Sequence, residues 1–537
     1  MKGLVALTAA VLALGAAGCG GGEEHEGGTL RGASLSFPDY LDPGLSYTLE
    51  GWTSMYNTYV PLLTYAHASG SEGTKLIPGL AKSLPEISDD GRTYSLTLRS
   101  GLEYSDGTPV RASDFRATIE RLFRLDSPGS AMYAVIAGAE RFSKTKRGGI
   151  GGIQAADRSG RIVIRLVEPS SSFSNLLATL FAAPVPPGTP ASNQTRNPPP
   201  ATGPYEITSS EPDQSWEYRR NPAWARSNSA AMPDLPDGHV GRIRMAVVGN
   251  ASAEVSEIER GRLDWMQNPP PPDRYAEIRK RFEGTQFRPE PVISNFYFWM
   301  NTRRAPFDDV RVRRAVNYAL EPGALERIYA GSLTRFQQII PPGMPGFRRF
   351  QPYPHDLGKA KALVAAADPS DRRVTVWTDS IPPAKEAGEY YEQVLDRIGL
   401  EAKLKAVPPA TYFTVIGNPS TPDLDTGWSN WLLEYPNPNS LFGPQLSGKG
   451  ITGVNETNYA RFDDPAIDAE ISRLGREQLG PKQEGEYAAL DRKVMAEAPW
   501  APFGNLTLAT FVSNEIDLDR VVYNPIYGHD LTSFEFR

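Results

Sequence analysis

One cysteine, Cys19, stands in 537 residues, so no disulfide can form within the chain. An exported fold of this composition must take its stability from packing and length. Histidine is also scarce. His25, His67, His239, His355 and His529 are the full set, and none stands at metal-ligand spacing from another. HExxH, GxSxG and phosphate-loop patterns are missing, which removes the usual sequence routes to a zinc hydrolase, a serine hydrolase or a nucleotide site. His355-Asp356 puts an acid beside a histidine, but the pair reads as a loop before a helix. Charge of one sign does not dominate: Lys plus Arg number 56 against 63 Asp plus Glu, a net charge of −7. That balance argues against a nucleic-acid partner. Beyond residue 17 no run is apolar enough to span a bilayer. No cofactor, no metal site and no enzymatic activity are expected from this inventory. What is abundant is glycine (49) and proline (48), which implies many irregular connections, in a chain long enough for two to four domains.

The first residues carry a different signal. Lys2 precedes an unbroken apolar and small-residue run from Leu4 to Ala17, the length of a signal-peptide core. Ala16-Ala17-Gly18-Cys19 is similar to a bacterial lipobox, with Ala16 where Leu is more usual. The implied processing is lipid transfer to the Cys19 thiol and cleavage after Gly18. The alternative is an ordinary signal peptide with a free thiol nearby. Residues 19–28 would then be a flexible tether, with His25 among Glu23, Glu24 and Glu26 as solvated linker.

Local patterns predict alternating strands and helices. Tyr94, Leu96 and Leu98 alternate with polar neighbours, as in a half-buried strand. Ser105-Asp106-Gly107-Thr108-Pro109 is turn chemistry, and Asp114 is read as a cap for a helix carrying Phe115, Ile119, Leu122 and Phe123. Further strands are expected at 29–36, 162–166 and 294–300, and a loop at 184–200. A helix is expected over 51–63. A βαβ unit is expected from a strand at 373–378, a helix at 384–398 and a strand at 401–407. No solenoid repeat is present.

The run Leu96–Phe115, LTLRSGLEYSDGTPVRASDF, closely resembles the signature of solute-binding protein family 5, the extracellular peptide- and nickel-binding subunits of ABC importers. A second block resembles it too: Asn295–Ala319, with Pro306-Phe307-Asp308-Asp309-Val310-Arg311. So do Leu41-Asp42-Pro43, Thr202-Gly203-Pro204-Tyr205 and Asn221-Pro222-Ala223-Trp224. The resemblance implies an α/β, two-lobed periplasmic-binding-protein-like fold of class II, with the cleft between the lobes and a subdomain inserted in the first. The expected divisions are signal peptide 1–18, tether 19–28, lobe 1 from 29–57, 187–290 and 501–537, inserted subdomain 58–186, and lobe 2 at 291–500.

The stretch WSNWLLEYPNP, Trp428–Pro438, gathers two tryptophans, a tyrosine, a carboxylate and two prolines. Flat aromatic walls suit varied ligands, and a carboxylate in a closed cleft suits an ammonium group. It resembles the family's Trp-x-x-Asp-Tyr-Pro-Asp-Pro loop, with Glu434 and Asn437 in place of the two aspartates. In peptide-binding relatives that first Asp fixes the ligand's α-ammonium. Glu434 is therefore read either as the carboxylate that binds a ligand's ammonium group or as an exposed loop charge, and Trp428 and Trp431 either as cleft lining or as core. The candidate binding residues are Tyr47, Tyr56, Asn57, Phe296, Trp428, Trp431, Glu434, Tyr435 and Asn437. The expected function is a lipid-anchored binding subunit at the outer face of the cytoplasmic membrane or in the periplasm. It would be a monomer that delivers short peptides to an ABC permease and its ATPase subunits. Open alternatives are a non-peptide solute such as a metal chelate or oligosaccharide, a peptide-sensing receptor without transport, and a lipid-anchored hydrolase.

Overall fold

The computed structural model describes residues 27–321, 323–453 and 455–537. The expected leader 1–18, the lipidated Cys19 and all but the last two residues of the tether lie outside the described residues. A single twelve-stranded sheet runs through the molecule. From one edge its main path takes the strands Glu401–Val407, Arg373–Asp379, Thr426–Leu432 and Ser294–Met300, then the long strand Trp500–Val512. It continues through Trp265–Met266, Thr29–Ser34, Arg242–Val247 and Ser215–Arg220 to Tyr205–Glu211. The molecule is two-lobed, and the thirteen-residue strand Trp500–Val512 runs through the middle of the sheet. Its first residues pair with Ser294–Met300 and its last with Phe287–Pro291 and Trp265–Met266. Val292 and Ile293 run beside that strand, where the Val292 N–H donates to the Leu506 carbonyl.

Sequence explains most local elements. Ser294–Met300 is buried along its whole length, so it reads as a continuous apolar run rather than an alternation. Phe298 stacks on Tyr391 at 3.9 Å and Tyr297 on Trp500 at 3.6 Å, which joins the strand to the helix Ala384–Arg397 and to the long strand. The βαβ unit forms as expected: Arg373–Asp379 and Glu401–Val407 pair in parallel around Ala384–Arg397. The helix stops at Gly399, whose φ of +97° a side chain would strain. Thr93–Thr97 pairs with Arg161–Arg165 in a separate four-stranded sheet, with Tyr94 and Leu96 inward. Asp106 accepts from the Thr108 N–H at 2.9 Å and Gly107 sits at φ +84°, as the turn chemistry requires.

Two expectations need correction. The helix predicted over 51–63 is Leu49–Met55 only. Pro61 disfavours helix at Val60, and the carbonyls of Asn57 and Thr58 leave the helical ladder to accept from Tyr205, Thr202 and Gly203. The chain then enters the strand Leu63–Tyr65. Asp114 is not the cap of its helix, which begins at Ala112. It is the third residue of the first turn and caps from inside the helix: its carboxylate accepts from the N–H of Arg111, the N-cap residue, at 2.8 Å and from the Tyr104 hydroxyl at 3.1 Å.

The loop Leu41-Asp42-Pro43 is held by a buried ion pair. Arg121 grips both oxygens of Asp42, at 2.9 and 2.6 Å, and Asp42 also accepts from the N–H groups of Gly44 and Gln194. Asp42 is fully buried and Arg121 nearly so. This fixes the approach to the helix Leu49–Met55 against the helix Ala112–Arg124. Among the described residues no helix is long and apolar enough to cross a membrane.

The Arg121→Ala change leaves Asp42 buried without its cation, an arrangement that costs about 3–5 kcal/mol. The exposed pair Lys144–Glu140 offers the contrast, because exposed pairs contribute about 0–1 kcal/mol. Urea unfolding should show a large drop in midpoint for Arg121→Ala and almost none for Lys144→Ala; equal effects would remove the ion pair as the anchor of this loop.

Candidate ligand-binding site

Between the lobes lie two adjoining cavities of about 630 and 460 Å³, which share Asn430 and Leu506 in their walls. Each falls within the roughly 300–1,000 Å³ range of small-solute clefts. Their floor is sheet. Thr426–Leu432 contributes Trp428, Asn430 and Trp431, and the long strand contributes Leu506 where it leaves one lobe for the other. Asn430 and Trp431 are neighbours on the strand, yet Asn430 faces both cavities and Trp431 only the larger.

The larger cavity takes Tyr47, Glu50 and Trp52 from the first lobe and Trp431, Glu434, Phe413 and Tyr459 from the second. Across it the Tyr47 hydroxyl donates to Glu434 Oε1 at 2.6 Å, joining residues 387 positions apart. Tyr47 is held in place from its own side, since its N–H donates to Asp39 Oδ2 at 2.7 Å. Burial raises the Glu434 carboxyl above its ordinary range, and the Tyr47 hydrogen bond partly offsets that. Burial and the Glu434 charge together push the Tyr47 hydroxyl far above its usual range, so it remains the donor.

The smaller cavity is lined by Phe296, Tyr329 and Trp428 on one side. Trp428 is buried, its Nε1–H donating to the Tyr329 hydroxyl at 2.9 Å, and Phe296 packs edge-on against both rings. Opposite stand Asp379, Ile381, Pro382, Pro383 and Glu386, the loop after the strand Arg373–Asp379 and the first turn of the next helix.

The structure thus brings Tyr47, Phe296, Trp428, Trp431 and Glu434 to the cleft, and sets four other candidates elsewhere. Tyr56 is buried beneath it, stacked on His67 at 4.7 Å. Asn57 ties the chain to its C-terminal segment: Nδ2 donates to Asp530 at 2.7 Å and Oδ1 accepts from the Leu531 N–H. Tyr435 turns into the core, and burial moves its hydroxyl up to about 12. Asn437 is fully buried and joins the lobes at the cleft's rim, Nδ2 donating to the Ser171 carbonyl at 3.0 Å. Further bonds follow there: Ser171 N–H to the Gly475 carbonyl at 2.8 Å, and Gln478 Nε2 to the Tyr94 hydroxyl at 2.9 Å.

Asp379, Glu386, Tyr329, Phe413 and Tyr459 are lining residues that sequence reasoning did not select. For Asp379 and Glu386 a signal was present. They flank the loop after the first strand of the predicted βαβ unit, and open α/β sheets bind ligands beyond the carboxyl ends of such strands. Phe413 and Tyr459 carry no such mark, since each reaches the cleft only through tertiary packing.

The model for bacterial extracellular solute-binding proteins, family 5 Middle, matches residues 75–453. Among curated proteins the chain is 23% identical over 432 residues to the "Glutathione-binding protein GsiB" of Shigella dysenteriae serotype 1 (strain Sd197), covering 78% of each chain. Among solved structures, "Clavulanic acid biosynthesis oligopeptide binding protein 2" superposes with a TM-score of 0.85 at 26% identity, over 96% of each chain. The periplasmic binding protein DppA from Helicobacter pylori, in complex with the peptide STSA, superposes with a TM-score of 0.72 at 19% identity, over 95% of this chain and 99% of that one.

A raised carboxyl has a definite pH signature. Between the ordinary glutamate value, about 4.3, and the higher folded value of Glu434, the native state binds more protons than the unfolded chain. Stability from this group therefore falls as pH rises through that window. Glu434→Gln should lose that slope, so its advantage over wild type in urea unfolding should grow from pH 4 upward. Tyr47→Phe, which removes the donor, should steepen the slope instead. Parallel pH profiles for all three proteins would show that the contact does not set the carboxyl's proton affinity.

Proposed function

Because the chain belongs to the bacterial extracellular solute-binding proteins of family 5, we propose that it is the lipid-anchored binding subunit of an ABC importer, capturing short peptides between its lobes. The observation that carries this reading is Glu434. Its carboxylate faces the larger cavity, is desolvated, and has the neutral Tyr47 hydroxyl as its hydrogen-bond partner and no ion-pair partner among the described residues. A half-buried, partly desolvated carboxylate without a cation carries a cost, and a peptide's α-ammonium supplies the missing charge. The aromatic walls accept side chains of varied shape without demanding one sequence.

The lobes are assigned as 29–57, 187–290 and the segment from 501 for the first, 58–186 for its inserted subdomain, and 291–500 for the second. The hinge then lies where Val292–Ile293 runs beside the long strand at Leu506. Closure is a population shift driven by contacts that exist only when the lobes meet. The Tyr47–Glu434 bond and the rim contacts around Asn437 are contacts of that kind, and a bound ammonium adds to them. The closed form is the one presented to the permease; energy for transport comes from the transporter's own ATPase. Tethering through Cys19 keeps the protein at the outer membrane face.

Native mass spectrometry of the mature chain from Cys19, with denaturing release of bound solutes, tests the reading. Peptides of a narrow length range are expected, and Glu434→Gln should weaken their binding at least tenfold, the loss expected when a buried charge-assisted bond of about 1.5–3 kcal/mol is removed. A sugar or metal chelate in the released fraction, or unchanged peptide affinity in Glu434→Gln, would overturn it.

A further inference from the structure

Among the described residues, the walls of the two cavities hold four carboxylates and no basic side chain. Glu50 and Glu434 line the larger cavity, Asp379 and Glu386 the smaller, and no described Lys, Arg or His lines either. None of the four acids has an ion-pair partner among the described residues. Glu50 accepts from Asn268 Nδ2 at 3.4 Å, and Asp379 from the Ile381 N–H at 3.1 Å. Asp379 is more than nine-tenths buried and faces the cavity. Glu386 Oε2 is buried with no hydrogen-bond partner. Lys385, adjacent in sequence, turns away to pair with Glu389 at 3.4 Å.

Some of this acidity has a local cause. Glu386 sits in the first turn of its helix, where the helix dipole favours an anion, and Asp379 ends a strand in a turn. Local causes do not account for the absence of any cation on either wall. A site that desolvates a ligand's carboxylate must replace its water with donors of positive charge. Here such a carboxylate would meet four like charges instead, a juxtaposition that interfaces use to reject wrong partners. The aromatic rings between the acids, Trp431 and Tyr459 in one cavity and Trp428 and Tyr329 in the other, add faces that attract cations and repel anions.

We infer that this cleft selects solutes that place positive charge and no free carboxylate inside it: peptides whose C-terminal carboxyl is masked, or amine-bearing apolar molecules of similar size. This rests on the capture reading above and narrows it, since an ordinary short peptide would carry its carboxylate into the cleft.

A pooled library of tri- to pentapeptides, each made as the free acid, as the C-terminal amide and as the N-acetylated free acid, decides the matter by competition in native mass spectrometry. The amides should be captured at least tenfold more than the matching free acids, and the N-acetylated acids least. Asp379→Asn, which keeps the oxygen that accepts from Ile381, and Glu386→Gln should each narrow the amide-to-acid ratio. Capture of free acids equal to or above that of amides overturns the inference while leaving peptide capture in place. Capture of no member of the library overturns both.

Discussion

One backbone ladder carries the architecture. Trp500–Val512 hydrogen-bonds to strands of both lobes, so the lobes share a strand rather than merely touching. Because the same strand is pleated and buried on either side of Leu506, each lobe is rigid up to the crossing. On the lobe assignment proposed above, relative motion is absorbed at the two places where the chain passes between lobes. That assignment puts the cavities beside the hinge, and Leu506 lines both.

The far side of the cleft is governed by different physics. There the lobes meet through hydrogen bonds between polar groups: Tyr47 with Glu434, Asn437 with Ser171, Gln478 with Tyr94. The neutral bonds contribute about 0.5–1.5 kcal/mol each and the bond to the Glu434 carboxylate about 1.5–3 kcal/mol, small enough to break and re-form. A continuous apolar seam would have locked the lobes together. The stacked aromatic pairs, Tyr297 with Trp500 and Phe298 with Tyr391, lie instead within the second lobe and its share of the long strand.

The electrostatic character of the cleft follows from where acids are left without cations. Elsewhere two buried carboxylates are neutralised by arginine: Asp42 by Arg121, and Asp264 by Arg31 through two side-chain bonds and the Arg31 N–H. Glu434, Glu386 and Asp379 receive no such treatment. Other buried acids lack a cation too, but Asp491 is held by the N–H groups of Ile339 and Ile340 and by Gln338, and Asp114 by Tyr104 and the Arg111 N–H, whereas the cleft acids have few such donors.

Sequence by itself determined the local elements and the kind of protein. Alternation at Tyr94–Leu98, the turn at Asp106-Gly107 and the βαβ unit at 373–407 depend on short-range sterics and hydrogen bonding, which neighbouring residues specify. It also marked the loop containing Trp428, Trp431 and Glu434, because rigid prolines and large aromatics are visible as composition. Tertiary structure decided which marked residues meet. Tyr56 and Asn57 share the helix-like pattern of Trp52, yet that helix ends at Met55: Asn57 is drawn into the core by bonds to Tyr205, Asp530 and Leu531, and Tyr56 by its ring contacts with His67 and Tyr527. The desolvation of Glu434, its bond to Tyr47 and its lack of an ion-pair partner among the described residues arise from segments 387 positions apart in sequence, and no local pattern encodes a distance across a cleft.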